Sequence, residues 1–328
     1  MNLTSRGCRL LFFPLLTVAG AGADDVALDP KLAPYVKVGG VSGSLKSVGS
    51  DTMNNEVSLW TEGFQRFYPD VKIEVEGKGS NTAPPALAEG TAQFGAMSRA
   101  MKSDEMSQFE KRFSYKPLAV RSSIDCVVLI VNKDNPIAGS GLTLAQADAI
   151  FSKTRNGGYP QPISSWRDLG LTGEWASRSI SLYGRNSASG TYGYIKSAAL
   201  FNGDFRDEVK EQPGSSAVVQ AVASDRYAIG YAGMGYLTAD VKAVPLAAEA
   251  GAAPVEANMN NAYAGTYPLA RFLLMYVNKH PVQPLDPLRL EFLKYILSRE
   301  GQQDVIKAGY LPLPATIASQ ELEKLGAK

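Results

Sequence analysis

Gly184-Arg185-Asn186-Ser187-Ala188-Ser189-Gly190-Thr191 stands between a β-rich run at residues 180–183 and a helical pattern carried by Tyr192, Ile195 and Leu200. A strand that enters a turn of small residues and leaves it as a helix exposes the first backbone N–H groups of that helix, with the positive end of the helix dipole beside them. Such a turn is a natural anion site. Glycine lets the backbone approach closely, and serine and threonine add hydroxyl donors. Arg185 adds a planar fork of donors that matches two oxygens of a tetrahedral oxyanion. A structural ion pair with an aspartate or glutamate is the competing use of the same guanidinium.

The same unit occurs twice more. Residues 45–48 lead into Gly49-Ser50-Asp51-Thr52, and residues 71–75 lead into Gly77-Lys78-Gly79-Ser80-Asn81-Thr82. After the first turn, Val57, Trp60, Phe64 and Phe67 recur at helical spacing over residues 52–68 until Pro69 ends the pattern. After the second, a helix is expected to start near Pro84 and Pro85, where proline is well tolerated in a first turn. Residues 126–131 and 273–277 read as further strands, and residues 287–299 as a last helix that stops at Gly301. Short β-rich runs alternating with helices indicate an α/β fold with mostly parallel sheets covered by helices. Serine, threonine and aspartate are also ordinary helix caps, so one such turn says little. Three of them, one with an arginine, point to an oxyanion.

The chain ends and composition narrow the function. Arg6 and Arg9 precede a short apolar run at residues 10–18, followed by Ala21-Gly22-Ala23, so an export signal cleaved after Ala23 is expected, with the mature chain starting at Asp24. Cys8 precedes the apolar run, the wrong place for lipid attachment. A periplasmic or secreted protein follows. Without Arg6 and Arg9 the 33 basic residues become 31 against 32 acidic ones, a balance that argues against nucleic acid as a partner. Cys126 alone survives processing, inside an apolar run where a buried core thiol is expected, and His280 is the sole histidine, in an expected surface loop. No metal site or cofactor is expected, and neither is an enzyme of the Ser-His-Asp or His-metal kind. About 300 mature residues suggest two domains.

At these residues the sequence resembles the phosphate-binding proteins of phosphate ABC transporters, the PstS type. The resemblance rests on Gly49-Ser50-Asp51-Thr52-Met53, Gly77-x-Gly79-Ser80, Ala96-Met97-Ser98-Arg99 and the Gly184–Tyr192 loop. Ala228-Ile229-Gly230-Tyr231-Ala232-Gly233, Tyr267-Pro268-Leu269-Ala270-Arg271 and Tyr276-Val277-Asn278-Lys279 follow in the same order. It implies a two-lobed periplasmic binding protein of type II, each lobe a mostly parallel sheet flanked by helices. Residues 24–128 and 264–328 would form one lobe and residues 129–263 the other, with hinge crossovers near 128–132 and 257–264. The ligand implied is inorganic phosphate and the partner the membrane permease of an ABC transporter; a monomer is the default for an opening cleft.

Residue by residue, the resemblance places the anion against Thr52 and Met53, Ser80, Arg185, Ser189, Gly190 and Thr191, and Asp51 and Ser98 complete the candidate site. The best-known members carry an aspartate where this chain has Ser98. That aspartate accepts a hydrogen bond from protonated phosphate and repels sulfate, which has no proton to give. Asp51 is the nearest substitute acceptor, with a helix cap as its other reading; Asp125 carries less weight. Arg99 either adds charge to the site or pairs with Glu105, the reading favoured here. Competing functions are binding of sulfate, molybdate or an organic phosphate, an exported adhesion or signalling role, and an exported phosphatase.

Overall fold

The computed structural model describes residues 26–327, so the expected export signal and its cleavage after Ala23 lie outside the described residues. The strands in chain order are β1 (Ser44–Gly49), β2 (Lys72–Glu76), β3 (Phe94–Met97), β4 (Leu118–Asn132), β5 (Leu142–Thr143), β6 (Ser181–Arg185), β7 (Lys210–Gln212), β8 (Ala228–Gly233), β9 (Val241–Val244), β10 (Leu246–Ala247) and β11 (Ala270–Val277). Among the described residues, nine of them form one sheet in the order β2-β1-β3-β11-β4-β8-β6-β7, with β9 also on β4; β5 and β10 pair separately.

The fold is α/β with helices flanking the sheet, and its parallel pairs lie outside its middle. β1 runs parallel to β2 and β3, and β6 runs parallel to β7 and β8. Every antiparallel pair in this sheet involves β4 or β11. β4 is therefore the strand that joins the two parallel sets. Residues 118–126 of β4 pair with β11, and from Val127 onward its partners are β8 and β9. The change of partner lies between Cys126 and Val127, just ahead of the hinge expected near residues 128–132.

Each of the three strand-turn-helix units forms as its sequence pattern dictates. β1 leads through a short 3-10 turn, Asp51–Met53, into the helix Asn54–Phe67, whose Val57, Trp60 and Phe64 are buried while Phe67 is half-buried. β2 leads through Ser80–Thr82 into Ala83–Glu89, with proline in its first turn, and β6 leads to Gly190–Ala198 with Ser189 as the cap. The last expected helix is corrected. It ends at Leu297, and Ser298 caps a new helix, Arg299–Lys307, by accepting from Gly301 N. Gly301 is thus inside the second helix and is no terminator; a serine cap followed by Glu300 overrides the helix-breaking tendency of glycine.

These two helices close the core around the first unit. Trp60 is fully buried and its indole N–H donates to Gly301 O at 2.9 Å, which anchors Asn54–Phe67 to Arg299–Lys307. Phe64 meets Phe292 and Tyr295 edge-on. Trp60→Phe removes the indole donor and empties part of a fully buried site, so urea denaturation is expected to show a loss of about 1–3 kcal/mol; an unchanged midpoint would mean that Trp60 anchors nothing.

Candidate functional site

All nine residues assigned to the anion from sequence come together where the three turns meet. Thr52, Met53, Ser80, Ser98, Arg185, Ser189, Gly190 and Thr191 are buried, and Asp51 retains 18% of its side-chain exposure. The turns touch one another directly. Thr52 Oγ1 lies 2.7 Å from Thr191 Oγ1, and Asn81 N donates to Ala188 O at 3.2 Å. Ser50 Oγ donates to Ser98 Oγ at 2.8 Å, Ser80 Oγ lies 3.3 Å from Ser98 Oγ, and Ser98 N donates to Ser80 Oγ at 3.1 Å. A cluster of hydroxyls with interchangeable donor and acceptor roles results.

Two glycines permit this approach. Gly79, at φ +125°, sits against the backbone of Ala188, and a Cβ there would collide with the Ala188 carbonyl oxygen. A Cβ on Gly190 would occupy the place of the Ser80 and Ser98 hydroxyls. The turns could not meet with larger residues at either position.

Arg185 is 1% exposed, and its environment accounts for most of its donors. Nη1 donates to Ser215 Oγ at 2.7 Å and lies 3.0 Å from Asp51 Oδ2, Nη2 donates to Pro213 O at 3.2 Å, and the backbone N donates to Tyr231 OH at 3.0 Å. Nε has no partner among the described residues. Burial pulls the guanidinium below its usual range, and the Asp51 charge opposes that pull. A buried cation with one unused donor suits an incoming anion.

Asp51 does not cap its own helix. Ser50 occupies the cap position, and the Asp51 carboxylate reaches instead to the start of the helix Ser215–Ser224, where Oδ2 accepts from Ser215 N at 2.9 Å. Its backbone carbonyl accepts from Tyr236 OH at 2.7 Å. The negative charge thus meets both Arg185 and a positive helix end. The ion pair that competed with ligand binding as the use of Arg185 is present, and Asp51 is its partner.

Sequence reasoning missed Arg271. From β11, its Nε and Nη2 hold Asp125 Oδ2 at 3.0 and 2.7 Å, Nη1 donates to Ser98 O at 2.7 Å, and Nη2 donates to Thr191 Oγ1 at 2.9 Å. One guanidinium therefore ties Ser98 to Thr191. Asp125 is fully buried, also accepts from Met234 N at 3.1 Å, and would lie, with the Thr52 methyl, in contact with any side chain placed at Gly233. Arg271 was visible within the Tyr267–Arg271 block, but no local pattern marked its role. Arg99 does pair with Glu105, at 2.6 and 2.8 Å. Two expected amide donors already have acceptors, Met53 N in Ser50 O and Thr191 N in Ser189 Oγ, both at 3.1 Å. His280 lies in a turn remote from these groups in sequence, its Nδ1 accepting from Val282 N and Gln283 N.

The geometry can be set beside known proteins. The model of the PBP superfamily domain matches residues 37–300. Over 97% of this chain and 98% of its own length, the phosphate-binding protein PstS of Pseudomonas aeruginosa is 54% identical. This chain belongs to the PstS family of the PBP superfamily. The PstS of Bacillus subtilis is 27% identical over 83% of this chain and 81% of its own. A Clostridium perfringens protein assigned as a phosphate ABC transporter substrate-binding protein, solved with bound phosphate, is 25% identical with a TM-score of 0.68, covering 83% of this chain and all of its own.

Beneath the site, Glu56 is fully buried and neither carboxyl oxygen has a hydrogen-bond partner among the described residues. Burial pushes its pKa up to about 8; the nearby Ser123 hydroxyl opposes that, and the Asp125 charge adds a smaller upward push. Unfolded, the carboxyl ionises near its ordinary value of 4.5, so between that pH and about 8 the folded state holds the extra proton. Stability from this group is full below 4.5 and is lost as pH rises toward 8. Denaturation midpoints are expected to fall across that window and to fall less in Glu56→Gln; equal slopes would show that Glu56 is not the titrating group.

Proposed function

We propose that this chain captures inorganic phosphate where residues 51–53, 80, 98 and 185–191 converge, and delivers it to the membrane permease of an ABC transporter. The observation that carries the reading is the buried Arg185 with its free Nε, placed among the hydroxyls of three helix-start turns. The PstS relatives are named as phosphate-binding proteins, and the Clostridium perfringens protein holds phosphate. The chain is a binding protein and not an enzyme. Ser80, Ser98, Thr52, Ser189 and Thr191 would offer hydroxyls, Gly190 its helix-start amide, and Arg185 its charge.

Residues 24–128 and 264–328 are proposed as one lobe and residues 129–263 as the other. The change of partner along β4 supports this division, as do the contacts that meet across it: Thr52 with Thr191, Asn81 with Ala188, and Asp51 with Arg185. Phosphate that touches both lobes only when they meet shifts the equilibrium toward the closed form. Export to the periplasm with a mature start at Asp24 is supported by the basic, apolar and small-residue pattern ahead of it. Among the described residues no helix is long and apolar enough to cross a membrane.

Selectivity over sulfate is proposed to rest on Asp51. Its Oδ2 is committed to Arg185 and Ser215, while Oδ1 takes no hydrogen bond from a described residue and stays available to the proton of phosphate. Sulfate has no such proton and meets only repulsion.

Isothermal titration of the ligand-stripped mature protein, with phosphate and sulfate at two pH values either side of neutrality, tests the reading. Micromolar or tighter phosphate binding, about −8 kcal/mol or better, with weak sulfate binding is expected. Sulfate alone would assign another oxyanion, and binding of neither would remove the transport reading. Arg185→Ala is expected to weaken phosphate at least about a hundredfold, because it removes the buried cation proposed to face the anion and leaves the Asp51 carboxylate without its partner. Asp51→Asn is expected to narrow the gap between phosphate and sulfate. An unchanged ratio would take Asp51 out of selectivity.

A further inference from the structure

The geometry points to Asn81 as a positioning residue for anion capture, one that locks the Arg185–Thr191 loop over the site without touching the ligand. The inference rests on the proposed reading of that site as a phosphate chamber closed by two lobes. Asn81 reaches the loop with two bonds: its side-chain Nδ2 donates to Ser187 O at 2.9 Å and its backbone N donates to Ala188 O at 3.2 Å. The side chain is held from behind, since Asn81 Oδ1 accepts from Arg99 Nη2.

Arg99 is itself fixed at both ends of its fork. Nη2 lies 2.6 Å from Glu105 Oε1, Nη1 donates to Glu105 Oε2 at 2.8 Å and to Ala100 O at 2.8 Å, and the Arg99 side chain is only 8% exposed. Glu105 is secured in turn by Lys102 N at 2.8 Å. The Arg99 stem also packs beside Gly193, where any Cβ would come within 3.2 Å of Arg99 Cδ. The result is a rigid line, Glu105 to Arg99 to Asn81 to Ser187, that begins beside Ser98 and ends on the loop bearing Arg185 and Ser189. A planar amide is the group this position needs, because it accepts from the guanidinium with one atom and donates to the carbonyl with the other.

The line floors an open groove of about 760 Å³ whose walls include Met101, Lys102, Tyr192 and Lys196. Water therefore reaches the outer face of Asn81, and the lock opens without unfolding the core. Such a contact, made only when the turns have met, stabilises the closed form and not the encounter. Its loss should appear in the dissociation rate.

The test measures release of radiolabelled phosphate into excess unlabelled phosphate, together with association rate and small-angle scattering, for wild type, Asn81→Ala and Asn81→Asp. Asn81→Asp keeps the contact to Arg99 but removes the donor to Ser187 O, which separates the lock from general loss of packing. Both variants are expected to release phosphate about three- to tenfold faster, the effect of one water-accessible hydrogen bond lost, with association unchanged. Both are also expected to show larger dimensions than wild type with phosphate and without it. Unchanged release from variants of a wild type that binds phosphate would overturn the lock while leaving the chamber intact. If wild type fails to bind phosphate, the chamber reading falls, and ligand-free scattering still decides the lock: larger variants support it, and identical dimensions overturn it.

Discussion

Arg185 and Arg271 are two cations taken almost wholly out of water, and the structure answers each with one carboxylate from a distant part of the chain: Asp51 for Arg185, Asp125 for Arg271. A buried guanidinium without a partner costs several kcal/mol, so neither arginine can reach its place unless its aspartate arrives as well. That requirement fixes which turns lie together. Asp51 comes with the Thr52 turn, Arg185 with the Ser189 turn, and Arg271 joins Ser98 to Thr191. The neutralisation is incomplete by design of the donors: Arg185 has a nitrogen in reserve, and the hydroxyls around it bond chiefly to one another.

β4 makes this arrangement mechanically coherent. Its first part is hydrogen-bonded to β11, which carries Arg271, and its second part to β8 and β9. Asp125 sits one residue before the point where the partners change, so the ion pair with Arg271 is formed at the crossover itself. Movement about this point would carry the Arg185 loop relative to the Thr52 and Ser80 turns while leaving both ladders intact, because ladder bonds constrain residues within a set and not between sets.

Much of this was legible in the sequence, for local reasons. The three strand-turn-helix units follow from apolar period, glycine and capping residues within a dozen positions, and the structure forms all three. The Arg99–Glu105 pair was legible too, because the two residues are close in sequence. β4 was read only from Cys126 onward, since Arg121, Ser122, Ser123 and Asp125 break its apolar run. Those residues are polar because they have work at the sheet: Ser122 Oγ donates to Leu273 O, Arg121 pairs with Glu321, and Asp125 holds Arg271. The pairings Asp51–Arg185 and Asp125–Arg271 join segments more than a hundred residues apart, and no local pattern encodes them. The helix break at Ser298 had a signal, a serine cap before Glu300, which was outweighed by reading Gly301 as a stop.

The direct contacts between turns also explain how an anion could choose the closed form. Thr52 Oγ1 with Thr191 Oγ1, which meet across the proposed lobe division, make a neutral hydroxyl bond worth about 1 kcal/mol net. Bonds from the same hydroxyls to a charged oxyanion are worth about 1.5–3 kcal/mol each. A ligand shifts a conformational equilibrium only by the difference in its contacts between the two forms. On the proposed reading, exchanging that neutral bond for charge-assisted ones, available only where the turns have met, supplies the difference. The glycines at 79 and 190 are then the condition for the proposed effect, because a Cβ at Gly79 would collide with the Ala188 backbone and one at Gly190 with Ser80 and Ser98, which would hold the turns apart.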